Sequence, residues 1–148
     1  MIRAATVGNT PMFNAVSPAI AACAMAAERD GPEVVKLMLW YPGTAGGSPT
    51  ESMKNLSEGY FLDSGLMKWS MGHYLNGPED MANPWVAPLK MQDFSVLPPT
   101  YLLTAGFDPR HDDNELFIDA LAQAGVEAEF HSIPNTIHGF MFMLGGID

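Results

Sequence analysis

The sequence predicts an α/β fold: about four parallel strands with flanking helices, and one long insertion between two of the strands. Three observations carry this. Short apolar runs bounded by Gly or Pro recur at 2–7, 34–41 and 100–105, as buried strands do. A fourth run alternates Val126, Ala128 and Phe130 with Glu127, Glu129 and His131, the period-two pattern of a half-buried strand. Between the runs, residues 18–29 and 112–124 keep helical spacing. Strands joined by helical crossovers are parallel, because such a return needs a dozen or more residues.

Taken in order, Ile2 to Val7 ends at Gly8 and reads as the first strand. The Ala-rich segment from Pro18 to Arg29 reads as a helix. It has proline in its first turn, Ile20, Ala21, Ala24, Met25 and Ala27 as packing residues, and Gly31-Pro32 as its stop. Val34 to Tyr41 is the second strand, closed by Pro42-Gly43. Residues 43–95 are rich in Gly, Pro, Ser and Asn and hold one clear helix signal. There Ser64 is placed to cap a helix whose Leu66, Met67, Trp69, Ser70, His73 and Tyr74 make an amphipathic face with an aromatic side. Thr100 to Ala105 is the third strand, with Asp108 just past its end. Leu116, Phe117, Ala120, Leu121 and Ala124 then keep a helical spacing that Gly125 ends. After the last strand, a Pro134-Asn135 turn leads to His138. Parallel strands share one carboxyl rim, so Asp108 and His138 are carried to the same place.

At 148 residues the chain has room for one domain with a sizeable core. A formal charge of -10 argues against nucleic acid and anionic membrane surfaces as partners. No stretch is long and apolar enough to span a membrane. The single Cys23 excludes an internal disulfide and suits a reducing compartment, so a cytoplasmic location is expected. Arg3, a mostly apolar run and Ile20-Ala21-Ala22-Cys23 look like a secretory signal with a lipoprotein cleavage box. However, Asn9, Thr10, Pro11, Asn14, Ser17 and Pro18 interrupt its core, and residues 19–30 have a better use as a helix. His73, His111 and His131 lack metal-ligand spacing, so no metal is expected. Asp112, Asp113, Glu115 and Asp119 read as solvated acids near a helix start, where the dipole favours them.

Leu97-Pro98-Pro99, Gly106-Phe107-Asp108-Pro109, Asp112, Gly125-Val126 and Ile137-His138-Gly139-Phe140 resemble the C-terminal half of a carboxylesterase of the hormone-sensitive-lipase-like family, in the α/β-hydrolase superfamily. The resemblance runs from Arg3 to Phe140. It implies a single partial α/β-hydrolase domain over 1–148, with a cap-like insertion at about 43–95. It also implies that Asp108 is the acid of a catalytic triad and His138 its base. The roles are chemically coherent: the carboxylate orients the imidazole and stabilises its protonated form, and the imidazole takes a proton from a hydroxyl. By the same resemblance Tyr60, Phe61, Trp69, Tyr74, Trp85 and Phe140 line a pocket for a small-molecule ester or apolar ligand. Plain core packing is the alternative use of the first five rings. Neither metal nor cofactor is implied. The strand at 2–7, central in the family, would here be an exposed sheet edge, a route to self-association.

The third member of the triad is where the sequence departs from the family. The family's nucleophile turn reads Gly-Asp/Asn-Ser-x-Gly-Gly-Asn, whereas this chain reads Gly8-Asn9-Thr10-Pro11-Met12-Phe13-Asn14. Thr10 stands at the nucleophile's position. A β-branched residue tolerates the strained turn poorly, and Met12 crowds a strand–helix contact that glycine keeps open. Pro11 has no N–H to offer an oxyanion, a loss worth about 10²–10³ in turnover. Ser17 is the other nearby hydroxyl, and it too precedes a proline, Pro18. Two functions follow. One is ester hydrolysis by a Ser-His-Asp type mechanism with a degenerate nucleophile elbow. The other is a catalytically inactive relic or binding module that keeps an apolar pocket. The turn from Gly8 to Asn14 separates them.

Overall fold

A computed structural model describes residues 16–47, 49–143 and 145, with the side chains of Val16 and Ser17 outside the description. The elements are α1 (Val16–Glu28), β1 (Leu37–Trp40), α2 (Glu51–Leu56), α3 (Ser64–Tyr74), β2 (Thr100–Phe107), α4 (His111–Gln123) and β3 (Ala128–Ile137). Short 3-10 turns at Pro78–Ala82, Pro88–Lys90 and Phe140–Phe142 fill some of the connections. Among the described residues the sheet has three strands in the order β1-β2-β3, all parallel. The strand expected at 2–7, and with it the expected open edge, lies outside the described residues.

Each element follows from its sequence. In β1, Leu37 and Leu39 point into the core and Met38 points out, as a pleated strand requires. In α4, Phe117 and Leu121 lie one turn apart and both are fully buried. Gly125 ends that helix with φ +77, a left-handed conformation cheap for glycine. The Gly125 N–H reaches the Ala122 carbonyl at 3.0 Å and the Val126 N–H reaches the Leu121 carbonyl at 3.0 Å, the paired closure of a Schellman motif. Leu37, Leu39 and Leu102 of the sheet pack with Ile20, Cys23 and Ala24 of α1 and with Phe117 and Leu121 of α4, so both helices cover one face. Each buried Leu, Ile or Phe side chain contributes about 1.5–3 kcal/mol by leaving water.

Four expectations need correction. The helix after residue 62 is capped by Asp63, whose Oδ1 accepts the Leu66 N–H at 2.6 Å, and Ser64 is already inside it. Its amphipathic face is not buried: Ser70 is the buried residue of α3, and Trp69 is 59% exposed. The insertion holds a further helix, α2, capped by Thr50. Finally, Pro134 and Asn135 do not end the last strand. They form a bulge within β3, with Asn135 at φ +60. Ala105 pairs with Ile133 and Phe107 pairs with Ile137, so β3 uses four residues where β2 uses two. Gly106 backs onto the bulge, and a Cβ there would sit 3.2 Å from the Pro134 Cα.

Candidate active site

The carboxyl ends of β2 and β3 deliver Asp108 and His138 to each other. His138 Nδ1 lies 2.8 Å from Asp108 Oδ2. Asp108 is fully buried and His138 nearly so. Because Phe107 is abreast of Ile137, the next residues along the two chains are this acid and this imidazole. In a buried setting a carboxylate accepting from an imidazole N–H fixes the ring's tautomer and orientation.

The turn after β2 is built to hold Asp108 still. Its second oxygen, Oδ1, accepts the Arg110 backbone N–H at 2.8 Å, and its carbonyl accepts the His111 N–H at 3.0 Å. Ser52 of α2 clamps the same turn from outside. Its hydroxyl donates to the Pro109 carbonyl at 3.0 Å, and its N–H donates to Asp112 Oδ2 at 2.8 Å. Behind the turn the Arg110 guanidinium lies 3.4 Å from Asp113, with both groups buried. Burial pushes the Asp113 carboxyl above its ordinary range, and the charge of Arg110 pulls it back. Asn114 donates to Thr104 at 2.9 Å, tying α4 to β2 beneath the site. Asp113 is therefore no solvated acid. It shares the buried row of Phe117 and Leu121, at four-residue spacing.

His138 is also covered from β1. The Tyr41 ring centroid lies 4.6 Å from that of His138, tilted by 52°, and 5.9 Å from that of Phe140. Tyr41 has φ +40, uncommon for a bulky residue. Burial holds its phenol up to about 12, against a smaller opposite effect of the Met141 backbone. Sequence reading placed Tyr41 at a strand end without a role, and nothing in the pattern of residues marks Ser52 or Arg110.

The six expected pocket rings divide into two groups. Phe140 contacts Tyr41, Phe61 sits 3.5 Å from where a Cβ on Gly139 would stand, and Tyr60 stacks on Phe107 at 5.4 Å. Trp69 instead lies against His73 of its own helix at 4.5 Å, tilted by 42°, while Tyr74 and Trp85 are exposed. A cavity of ≈ 300 Å³ lined by Cys23, Val34, Leu97 and Pro98 lies at the amino ends of the strands, away from the pair. The Ile20–Cys23 stretch that looked like a cleavage box is inside α1, with Ile20, Ala21 and Cys23 buried. Thr10 lies outside the described residues, as does the side chain of Ser17, whose backbone is in the first turn of α1.

One local grouping was not visible from spacing. Possible ligand atoms of His111, Asp112 and Glu115 all lie within 4.8 Å of one another at the start of α4. His131 stacks on Tyr101 at 4.9 Å, and His73 Nδ1 is 2.8 Å from the Trp69 carbonyl.

A parallel sheet that brings a buried carboxylate and imidazole together at its carboxyl rim defines an α/β enzyme-type scaffold with its polar centre at the strand ends. Comparison with known proteins gives the family. Residues 19–142 match the model of the alpha/beta hydrolase fold, and the chain belongs to that family. It is 32% identical over 122 residues to esterase LipI of Mycobacterium tuberculosis, covering 81% of this chain and 38% of that protein. It is 34% identical over 119 residues to the carboxylic ester hydrolase LipN of the same organism, covering 78% of this chain and 32% of that one. The hyperthermophilic esterase from the archaeon Pyrobaculum calidifontis superposes with a TM-score of 0.81 at 33% identity, over 86% of this chain and 43% of that one. The chain thus spans less than half the length of each. No helix among the described residues is long and apolar enough to cross a membrane.

Proposed function

We propose that this chain carries the acid and base of a carboxylic ester hydrolase, with Asp108 as the acid and His138 as the base. The observation that carries the reading is the buried 2.8 Å contact between His138 Nδ1 and Asp108 Oδ2. The similarity to proteins named esterases supports it. In this reading the distal imidazole nitrogen takes the proton of an attacking hydroxyl as that oxygen bonds to the ester carbonyl carbon. The imidazolium then returns the proton to the departing alkoxide, leaving an acyl-enzyme that water hydrolyses by the same route. Asp108 holds the ring and offsets its transient charge. Tyr60, Phe61 and Phe140 wall the acyl side, with Trp69, Tyr74 and Trp85 of the cap-like insertion at about 43–95 offering further apolar surface.

Thr10 holds the position of the attacking hydroxyl and Ser17 is its alternative. Each is followed by a proline that cannot donate to an oxyanion, so ester turnover by this chain alone is expected to be negligible. Covalent labelling with a fluorophosphonate, read by intact mass and peptide mapping, tests the reading. A single adduct that disappears in His138→Ala supports the hydrolase and locates its nucleophile. A folded sample that takes no label, yet binds apolar ligands, supports the inactive binding module instead. The lone buried Cys23 fits a reducing compartment, the cytoplasm in this reading. Self-association through an exposed sheet edge is part of the same proposal, and light scattering across a concentration series should show a dimer.

A further inference from the structure

We propose that His111, Asp112 and Glu115, at the start of α4, form a binding site for a divalent transition metal ion such as zinc, independent of the pair formed by Asp108 and His138. Their candidate ligand atoms all lie within 4.8 Å of one another. His111 Nδ1 is 3.7 Å from Asp112 Oδ1 and 3.9 Å from Glu115 Oε1. Neither gap is a hydrogen bond, so the imidazole nitrogen and the two carboxylate oxygens face one another without satisfying one another. Two bonds of about 2.0–2.2 Å to a common ion span up to about 4.2 Å, so a zinc ion can bridge either gap. The remaining adjustment falls on Glu115, whose side chain is exposed and has room to turn.

Two of the ligands are already oriented from outside the cluster. His111 Nε2 lies 3.0 Å from the Ser132 hydroxyl of β3, and the ring meets Phe130 edge-on at 6.1 Å, which turns Nδ1 toward the acids. A partner on the second ring nitrogen is the usual support of a metal-bound histidine, because it fixes the tautomer. Asp112 is held in the same way: Oδ2 accepts the Ser52 N–H at 2.8 Å and leaves Oδ1 for the ion. The side chains of His111 and Asp112 are only partly exposed, so they are constrained while solvent still reaches the site. One imidazole and two carboxylates suit a borderline ion such as zinc, whereas magnesium and calcium prefer oxygen alone. Two carboxylates also balance a double positive charge and outweigh the weak opposition from the amino end of α4. Linear spacing hid the set, since its supports come from Ser132, 21 positions beyond His111, and from Ser52, 60 positions before Asp112. Because the Ser52 hydroxyl also donates to the Pro109 carbonyl, an ion on Asp112 would brace the turn that carries Asp108.

Titrating the chelator-treated chain with zinc chloride tests this, read by calorimetry and by thermal unfolding. One zinc per chain is expected, and a large excess of magnesium should not displace it. His111→Gln and Glu115→Gln should each weaken binding by about tenfold or more, and Ser132→Ala by about tenfold through the imidazole it supports. Glu115→Gln changes an exposed group, so it keeps the test decisive should His111→Gln not fold. Zinc at about 100 times its dissociation constant should favour the folded chain about 100-fold, and at the same zinc concentration Glu115→Gln should lose most of that gain. In nuclear magnetic resonance spectra the zinc-induced shifts should centre on His111. Binding weaker than about 1 mM overturns the proposal. So does undiminished zinc binding in a folded Glu115→Gln variant, or shifts confined to residues away from His111, either of which would mean an adventitious ion only.

Discussion

The rim around Asp108 and the insertion between β1 and β2 are both polar in sequence and close in space, yet they are built oppositely. At the rim, polar groups are buried and linked: Asp108, Arg110, Asp113, Asn114 and His138 are all buried. Along α3, large rings face outward, with Trp69 at 59% exposure and Tyr74 at 40%. A buried, linked polar group loses much when its partner is removed, because what remains is desolvated and unpaired. An exposed ring loses little. The rim therefore concentrates the sensitivity of the molecule, and the outer face of α3 concentrates its tolerance.

Substitutions can sharpen that contrast. The largest effect is expected for Asp108→Asn, which presents the wrong hydrogen-bonding pattern to the imidazole and should abolish any His138-dependent fluorophosphonate labelling that the native chain shows. A labelling rate within tenfold of the native chain would remove Asp108 from the proposed chemistry. Next comes Arg110→Met, which leaves a buried Asp113 without its cation and should cost about 3–5 kcal/mol in urea unfolding. Adding Asp113→Leu should recover most of that loss. The pH dependence follows from the raised Asp113 carboxyl. Its contribution to stability is fully present below the unfolded value and declines as pH rises through the folded one, and Arg110→Met should steepen the decline.

A smaller effect is expected on the alkaline side. Tyr41 titrates from about 10 unfolded to about 12 folded, so its contribution is intact below pH 10 and fades as pH rises through 12. Tyr41→Phe should flatten that alkaline loss when unfolding midpoints at pH 9 and pH 11.5 are compared. Least of all, Trp69→Ala should change stability by no more than about 0.5 kcal/mol. A loss several times larger would mean that α3 is held by packing that its exposure does not show.

The sequence marks those parts of the rim that depend on strand ends and helix stops. Asp108 past Thr100–Ala105 and His138 past the alternating strand were legible, since parallel strands must share a rim. Gly125 was legible because left-handed helix ends favour glycine. Asp113 was misread although its place on the row of Phe117 and Leu121 was there to see, because acids in a first turn are more often solvated. The helix at Glu51–Leu56 is too short for periodicity to reveal, and the hydrogen bonds of Ser52 join residues 57 and 60 positions apart. Tyr41's conformation depends on what surrounds it, and no local pattern encodes that.

The bulge at Pro134–Asn135 sets a parity rule for how this part of the chain can change length. Two residues are taken up there between Ile133 and Ile137 before the pairing with β2 resumes. Removing both would let a straight ladder form, and the imidazole would still arrive abreast of Asp108. Removing one would turn every later side chain to the opposite face of the sheet and send His138 away from its carboxylate. Length variation within the last strand, between Ile133 and His138, is thus tolerated in even steps and punished in odd ones, so the acid–base geometry acts as a counting constraint on a segment that has no chemistry of its own.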